Sequence, residues 1–305
     1  MKKIALALGG GGFKGFAHIG VIRQLQKSGF EIASVAGTSI GGIVGGLFAR
    51  GYSADEMQAF AGNLKTETLF TRRAEDAPAL MGLGGMYDLL DRTLGASTFA
   101  DLKIPFACTA VDSTSGREVI LNSGSLVDAL QATSAIPGIF PSKTIGSITL
   151  VDGGVLDPVP VALARWLNSS IPTVAVVLSP ERENWASSTH TEIPPYAPIP
   201  PFILQQINQL RWGKAMQVFM NSMDMMTQTI ADLRLKIDRP DIIIRPALDQ
   251  YSIFEMADAN ELAKRGEEIV KTSTDAIEKS YSIIAKINRF LTLSSCPGIK
   301  ISECN

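Results

Sequence analysis

The residues best suited to chemistry form a short motif near the start of the chain, in which Gly37 and Gly41 flank Ser39. An apolar run at residues 32–36 precedes this G-x-S-x-G motif, and residues 40–50 can continue as a helix. A strand, a sharp turn and a helix in this order form a nucleophile elbow, which lifts the serine hydroxyl clear of the sheet. The glycines permit the turn, and the free N–H groups that begin the helix favour negative charge nearby. The motif therefore predicts that Ser39 is a nucleophile.

A glycine-rich loop follows the first predicted strand and contains Gly10, Gly11, Gly12, Lys14 and Gly15. Gly10, Gly12 and Gly15 fit the dinucleotide fingerprint G-x-G-x-x-G. However, the second strand ends in the elbow motif and not in the acidic residue that would hold a ribose. The N–H groups of Gly10, Gly11 and Gly12 could instead form an oxyanion hole, because glycines leave them open to a ligand. Lys14 is either a charge for a phosphate or carbonyl oxygen, or a solvated surface lysine.

A nucleophilic serine needs a base, and the chain offers three candidates. His18 falls inside the first predicted helix, where we expect it to be a packing residue. His190 lies in a polar run just before a proline-rich segment, and such a loop positions a base poorly. Asp152 ends an apolar strand and is followed by Gly153 and Gly154. An apolar environment raises the basicity of an aspartate, so that it can accept the serine proton. The alternative is a turn aspartate that bonds its own backbone.

The predicted elements around these residues alternate between strand and helix. Strands at 3–8 and 32–36 alternate with helices at 15–28 and 40–50, and a capping box at Ser53 begins a third helix. This alternation predicts a parallel sheet covered by helices on both faces. Because consecutive parallel strands are often neighbours, the glycine loop and the elbow should face the same crevice.

The rest of the chain supplies further strands, an irregular segment and one long helix. The irregular stretch contains an apolar segment at 81–86, which we expect to be mobile. We expect contact with a membrane through either this segment or the long helix at 212–233. A stripe of large apolar side chains from Trp212 to Leu233 predicts a long helix that packs on the core. A dimer seam or a face that contacts lipid is the alternative for this stripe. Further strands are predicted at 106–111, 118–121, 147–151, 174–178 and 241–245, and a capped helix at 125–133.

Composition and charge limit the classes of protein that the chain can represent. Its 305 residues are 46% hydrophobic and 19% charged, which is typical of a globular protein with a substantial core. A net charge of −2 without a basic block argues against nucleic acid as a partner. No apolar run reaches the roughly twenty residues that span a bilayer. The 3 cysteines lack the spacing of a disulfide framework or a zinc site. We therefore expect a cytoplasmic protein in which Cys296 and Cys304 are free thiols.

The three motifs occur in the order and spacing of the patatin-like phospholipases, and the chain most resembles the short bacterial members of that family. Residues 16–21 and 132–141 add supporting stretches. The resemblance covers residues 3–180 strongly and 241–271 more loosely. It implies a three-layer α/β/α sandwich with a mostly parallel central sheet. It also implies a dyad of Ser39 and Asp152, an oxyanion hole in the glycine loop, and no metal or cofactor. Lys14 stands where the family more often carries arginine, a difference that keeps the positive charge but loses the bidentate geometry.

The activity that the resemblance implies is hydrolysis of acyl esters in phospholipids or lysophospholipids through an acyl-serine intermediate. Peripheral contact with the inner membrane face is expected. Two alternative functions remain open: a catalytically idle regulator that binds acyl groups, and an acyltransferase that uses the same dyad. The chain could also form a homodimer. We expect the catalytic core to cover residues 3–180 and a proline-rich loop with a methionine-rich helix, which could be a lid or an interface, to cover 181–240. Residues 241–290 should supply a strand and helices that complete the same domain, and residues 291–305 form a tail.

Overall fold

The computed structural model describes residues 1–181, 211–282, 285, 287, 289 and 296–303. His190 and the proline-rich segment at 194–201 lie outside the described residues. Within the described part of the chain one sheet contains nine strands. They are β1 (Lys2–Leu8), β2 (Phe30–Thr38), β3 (Phe106–Asp112), β4 (Glu118–Leu121), β5 (Lys143–Ile145), β6 (Ile148–Asp152), β7 (Thr173–Val176), β8 (Ile242–Ile244) and β9 (Ile299–Lys300).

The sheet is mixed but mostly parallel. Its strands follow the order β5-β6-β3-β2-β1-β7-β8, and β4 pairs with both β3 and β9. The central strands β3, β2, β1, β7 and β8 are parallel to one another. The antiparallel pairs lie on the other side, where β3 pairs with β4 and β6, and β6 pairs with β5. The predicted adjacency of the first two strands is therefore confirmed, and the carboxyl ends of β1 and β2 meet at one edge.

Helices cover both faces of this sheet. They are α1 (Ala17–Lys27), α2 (Ile40–Arg50), α3 (Ala54–Gly62), α4 (Thr66–Leu69), α5 (Gly84–Leu94), α6 (Leu126–Thr133), α7 (Val161–Leu167), α8 (Arg211–Asp238) and α9 (Ala259–Lys279). Buried side chains form two clusters, and alternation along β1 places Leu6 in one cluster and Ala7 in the other. The first cluster contains residues of α1 and α2, and the second contains residues of α7 and α8. The predicted three-layer α/β/α sandwich is confirmed.

The helix ends near the elbow follow from local sequence. Helix α2 stops at Gly51, which has a φ of 109° and satisfies the last carbonyls with its N–H group. The predicted capping box is present at Ser53, whose hydroxyl accepts from the N–H of Glu56. Helix α1 begins later than predicted, because residues Gly12–Phe16 form a 3-10 turn before it. The tight turn keeps the glycine loop close to the elbow.

The apolar segment at 81–86 belongs to the core. Met81 and Met86 are only 6% and 2% exposed, and α5 begins at Gly84. The expected membrane contact through this segment is therefore wrong for both methionines. Their apolar character is explained by packing inside the first cluster.

Helix α8 confirms the predicted long helix, but only part of its predicted stripe packs on the core, as Met216 does. Met220 and Leu235 are buried, whereas Phe219, Met226 and Leu233 of the stripe are 51%, 51% and 53% exposed. Periodicity indicates that a helix has an apolar face, but the elements packed against the helix decide which face is buried.

The end of the chain contributes to the sheet. Part of the predicted tail forms β9, which pairs in parallel with β4 and places Ile299 beside Val119. None of the helices in the described ranges is both long enough and apolar enough to cross a membrane.

Candidate active site

The predicted elbow is present between β2 and α2. Ser39 has a φ of 56° and a ψ of −126°, a conformation that costs a non-glycine residue on the order of 1–3 kcal/mol. A Cβ added to Gly37 would lie 2.5 Å from the carbonyl oxygen of Gly41. A Cβ on Gly41 would lie 2.7 Å from the carbonyl oxygen of Gly9. Both glycines are therefore needed for the close approach of strand, loop and helix.

Hydrogen bonds from distant segments hold the elbow in its strained conformation. The N–H of Ser39 donates to Thr133 Oγ1 at 2.9 Å. The hydroxyl of Thr38 donates to the carbonyl oxygen of Asp157 at 2.8 Å and lies 2.9 Å from Thr109 Oγ1. These partners come from α6, from the segment after β6, and from β3, so three separate segments fix the position of the serine.

Asp152 lies beside the serine at the end of β6. Its main chain pairs with Ala110 of β3, and its N–H donates to the carbonyl oxygen of Ala135 at 2.9 Å. Its carboxylate accepts a hydrogen bond from the Gly154 N–H at 2.7 Å, and the Ser39 side chain is close enough to act on its charge. Burial raises the pKa of Asp152 to about 6, although the Ser39 side chain and the Gly154 N–H oppose the rise. The aspartate thus caps its own turn, as one alternative predicted, and also contacts the serine.

The glycine loop approaches the serine, but its three N–H groups are not equivalent. The N–H of Gly10 donates to the carbonyl oxygen of Pro158 at 2.9 Å. Gly10 is therefore not a free oxyanion donor, and the prediction is wrong for this N–H group. The N–H groups of Gly11 and Gly12 donate to no acceptor among the described residues, and both glycines line the same pocket as Ser39. Two donors, instead of the predicted three, remain available for an oxyanion.

His18 supports the glycine loop and does not face the serine. It is fully buried, and its Nε2 donates to the carbonyl oxygen of Gly9 at 2.8 Å. Burial lowers the pKa of His18 to about 4, so the ring is neutral. The expected packing role is confirmed. Behind the same loop, a Cβ on Gly15 would overlap the side chain of Ile40, which explains the glycine at this position.

Lys14 is buried in the pocket, so the surface-lysine alternative is wrong. Only 7% of the residue is exposed. Burial lowers its pKa, and the charges of Asp224 and Asp249 oppose this effect. All three residues line the pocket that contains Ser39. Within the described ranges no group of three or more His, Cys, Asp or Glu side chains is arranged to hold a metal ion.

The pocket that Ser39 and Asp152 line has a volume of about 300 Å³. Ser39 and Asp152 are among its polar lining residues, and its walls also carry apolar side chains such as Ile139 and, from α8, Phe219 and Met223. A second apolar cavity of about 40 Å³ adjoins Ser39. A long apolar group can therefore lie in the larger pocket with its polar end at the serine.

Several residues of the site were missed by sequence reasoning. Asp224 is placed in the pocket by α8, and Asp249 by the segment after β8. No local motif marks either of them. Thr133 lies in the stretch 132–141 that supports the family resemblance, so a signal was present there without an assigned role.

The structure is thus a mostly parallel α/β/α sandwich that carries a strained serine elbow beside a buried aspartate. The sequence matches the family model for patatin-like phospholipases over residues 6–165. The chain belongs to this family. Membership supports a lipid hydrolase activity.

The relatives of the chain carry related names. An uncharacterized NTE family protein of Mycobacterium tuberculosis is 36% identical over 180 residues, which cover 58% of this chain and 49% of that protein. Lysophospholipase NTE1 of Pyricularia oryzae is 26% identical over 283 residues, or 87% of this chain and 18% of that protein. The chain thus spans about half the length of the mycobacterial relative. Among solved structures, VipD from Legionella pneumophila has a TM-score of 0.46 at 12% identity, covering 91% of this chain and 67% of that chain.

Proposed function

We propose that this chain is a lipid acyl hydrolase in which Ser39 attacks an ester carbonyl and Asp152 accepts the serine proton. The observation that carries the proposal is that both side chains are buried and line the same 300 Å³ pocket, where the Ser39 side chain is close enough to act on the Asp152 carboxylate. Burial brings the pKa of Asp152 to about 6, closer to neutral pH, where a proton acceptor is most effective. The family match supports the same class of reaction.

The reaction proceeds through an acyl-serine. As Ser39 Oγ bonds to the ester carbon, its proton moves to the carboxylate of Asp152 and the carbonyl oxygen becomes an oxyanion. The N–H groups of Gly11 and Gly12 stabilise this oxyanion, and a single donor of this kind is worth about 3–4 kcal/mol. The C–O bond to the alcohol then breaks, and the alcohol leaves with the proton from Asp152. A water molecule gives a proton to Asp152, attacks the acyl carbon and releases the fatty acid as the proton returns to Ser39.

We assign phospholipids or lysophospholipids as the substrate class. The apolar walls of the pocket suit a fatty acyl chain, and relatives named lysophospholipases support a lipid ester. Lys14 supplies a buried positive charge for the phosphate group of such a substrate. On this assignment Lys14→Met raises the KM for a lysophospholipid several-fold and leaves that for an uncharged p-nitrophenyl ester unchanged, and Lys14→Arg retains most of the affinity. Equal effects on both substrates contradict the assignment.

We further propose peripheral membrane contact through the exposed face of α8, in place of the buried segment at 81–86. Phe219 and Met226 are each 51% exposed and also line the pocket, so this face leads to the site. Phe219→Ser combined with Met226→Ser should reduce co-sedimentation with phospholipid vesicles, whereas a change of the buried Met86 to Leu should not. Unchanged vesicle binding contradicts the proposal. A homodimer through the same face is the alternative outcome, and sedimentation velocity without vesicles detects it.

The dyad is tested with a fluorophosphonate probe and with p-nitrophenol release from a medium-chain ester. Wild type should react in both assays, Ser39→Ala in neither, and Asp152→Asn much more slowly than wild type. Ser34→Ala is the matched control, because Ser34 is a fully buried serine in the middle of the same strand, β2. It should behave as wild type.

The result also separates the alternatives. A folded wild type that is never labelled contradicts the proposal and favours an acyl-binding protein without turnover. Labelling with turnover only after an alcohol is added as acceptor favours an acyltransferase. Loss of activity in Ser34→Ala equal to that in Ser39→Ala assigns the effect to folding and not to the nucleophile.

A further inference from the structure

A buried ion pair behind the active site joins the pocket wall to the catalytic backbone. Arg234 of α8 places Nη2 3.0 Å from Asp157 Oδ2 and 3.3 Å from Glu118 Oε2. Its Nε lies 3.7 Å from Asp238 Oδ2. Arg165 approaches the same cluster and donates to the carbonyl oxygen of Asp238 at 2.6 Å. Asp157 itself is fully buried, so the guanidinium of Arg234 is the cation that offsets the burial of its charge.

The backbone around Asp157 contacts three functional parts of the site. The carbonyl oxygen of Asp157 accepts from the hydroxyl of Thr38, the residue before the serine, at 2.8 Å. The carbonyl oxygen of Pro158 accepts from the N–H of Gly10, at the start of the oxyanion loop, at 2.9 Å. The N–H of Asp157 donates back to the carbonyl oxygen of Gly153, beside the base, at 2.9 Å. Residues 157 and 158 therefore link the nucleophile, the oxyanion loop and the base.

We propose that Asp157 is a positioning residue, whose carboxylate, held by Arg234, fixes the backbone that aligns the elbow with the oxyanion loop. The proposal rests on the proposed hydrolase function and extends it to two residues that do not touch the substrate. Because Arg234 belongs to α8, which forms a pocket wall, the same ion pair ties that wall to the catalytic backbone. A shift of the loop by a fraction of an ångström is enough to misalign the oxyanion donors.

The variant that tests this is Asp157→Asn, which keeps the shape of the side chain and removes its charge. We expect kcat for a medium-chain p-nitrophenyl ester to fall by about tenfold or more, with KM within about twofold of wild type. Arg234→Met should lower kcat to a similar extent, and Arg234→Lys should restore part of the loss because it keeps the charge. The double variant Asp157→Asn/Arg234→Met should be no worse than the poorer single variant, since both remove one interaction.

Asp241→Asn is the matched control for a general loss of stability. Asp241 is also a buried aspartate paired with an arginine, Arg289, and it also bonds a strand N–H, that of Thr173. It lies at the start of β8, far along the sheet from the serine. This control should lower the Tm and leave kcat unchanged. A drop in kcat equal to that of Asp157→Asn overturns the proposal.

Amide hydrogen exchange decides the question without any turnover. In Asp157→Asn the amides of Gly10 and of the elbow should exchange about tenfold faster or more than in wild type, and in Asp241→Asn they should not. If wild type does not hydrolyse esters, the proposed function fails while this comparison still tests the positioning role. The proposal is overturned if the Asp157→Asn variant is folded and its Gly10 amide exchanges at the wild-type rate. If the protein hydrolyses esters, a wild-type kcat in this variant is required as well.

Discussion

Ser39 and Thr133 are 94 residues apart in the chain, yet the main-chain N–H of the serine donates to the threonine hydroxyl at 2.9 Å. Thr133 is the last residue of α6 and is fully buried. The bond therefore ties the strained turn of the elbow to a helix that is part of the core. Without it the Ser39 N–H would be buried and unpaired, and the positive φ at Ser39 would lose one of its supports.

Replacing Thr133 by valine removes this bond and keeps the shape of the side chain. We expect Thr133→Val to lose about 1–3 kcal/mol of unfolding free energy, because it leaves a buried N–H without an acceptor. Its rate of fluorophosphonate labelling should fall as well. Thr133→Ser keeps the hydroxyl and should restore the labelling rate. Equal rates for the valine and serine variants would mean that the bond does not position the nucleophile.

Activity should depend on pH through Asp152. The carboxylate accepts the serine proton only when it is ionised, and burial raises its pKa to about 6. We expect kcat/KM to rise about tenfold per pH unit below pH 6 and to level off above it. A thermal melt at each pH shows whether the enzyme stays folded across the range. A profile that remains flat down to pH 4.5 contradicts this role for Asp152.

Removing the charge of Asp152 should stabilise the fold at neutral pH. Folding raises the pKa of this carboxyl from 3.8 to about 6, so the native state binds the proton more tightly than the unfolded state. The cost of ionising it is absent below about pH 4 and complete above about pH 6. Asp152→Asn should therefore be more stable than wild type at pH 8, by up to about 3 kcal/mol, and the gain should vanish towards pH 4. Denaturant unfolding of both proteins at pH 8 and at pH 4 measures this difference in stability. A gain of the same size at both pH values would contradict the ionisation of Asp152 as its cause.

An alanine at Gly12 should disrupt the oxyanion loop by steric overlap. Gly12 has a φ of 59°, and a Cβ there would overlap the carbonyl oxygen of Ile253. Gly116 has a φ of 67° with nothing within 4 Å of its Cβ position, which makes Gly116→Ala a control with the same backbone strain and no overlap. Each alanine costs about 1–2 kcal/mol through its φ. Only Gly12→Ala should abolish labelling by the fluorophosphonate probe, and similar labelling of both variants would rule out the overlap as the cause.

Much of the fold, and the candidate residues Ser39 and Asp152, could be predicted from local sequence. The strand, turn and helix around Ser39 depend on residues that are neighbours in the chain, and so do the Gly51 and Ser53 helix ends. The order of strands and helices is enough to predict the layers and the parallel sheet. When strands and helices alternate and their connections are short, few arrangements bury the apolar faces of all of them. Asp152 was found for the same reason, since a strand-end carboxylate followed by glycines is a local signal.

Other properties of the site were decided by tertiary structure alone. The N–H of Gly10 is occupied by the carbonyl oxygen of Pro158, and Lys14 is buried in the pocket and not exposed to solvent. Helix α8 was predicted from its apolar period, but packing leaves Phe219 exposed and buries Met220. The hydrogen-bond partners and the burial of each residue are set by segments far away in the chain. A local pattern therefore determines which residues can do chemistry, and only long-range packing determines which of their groups are free to do it.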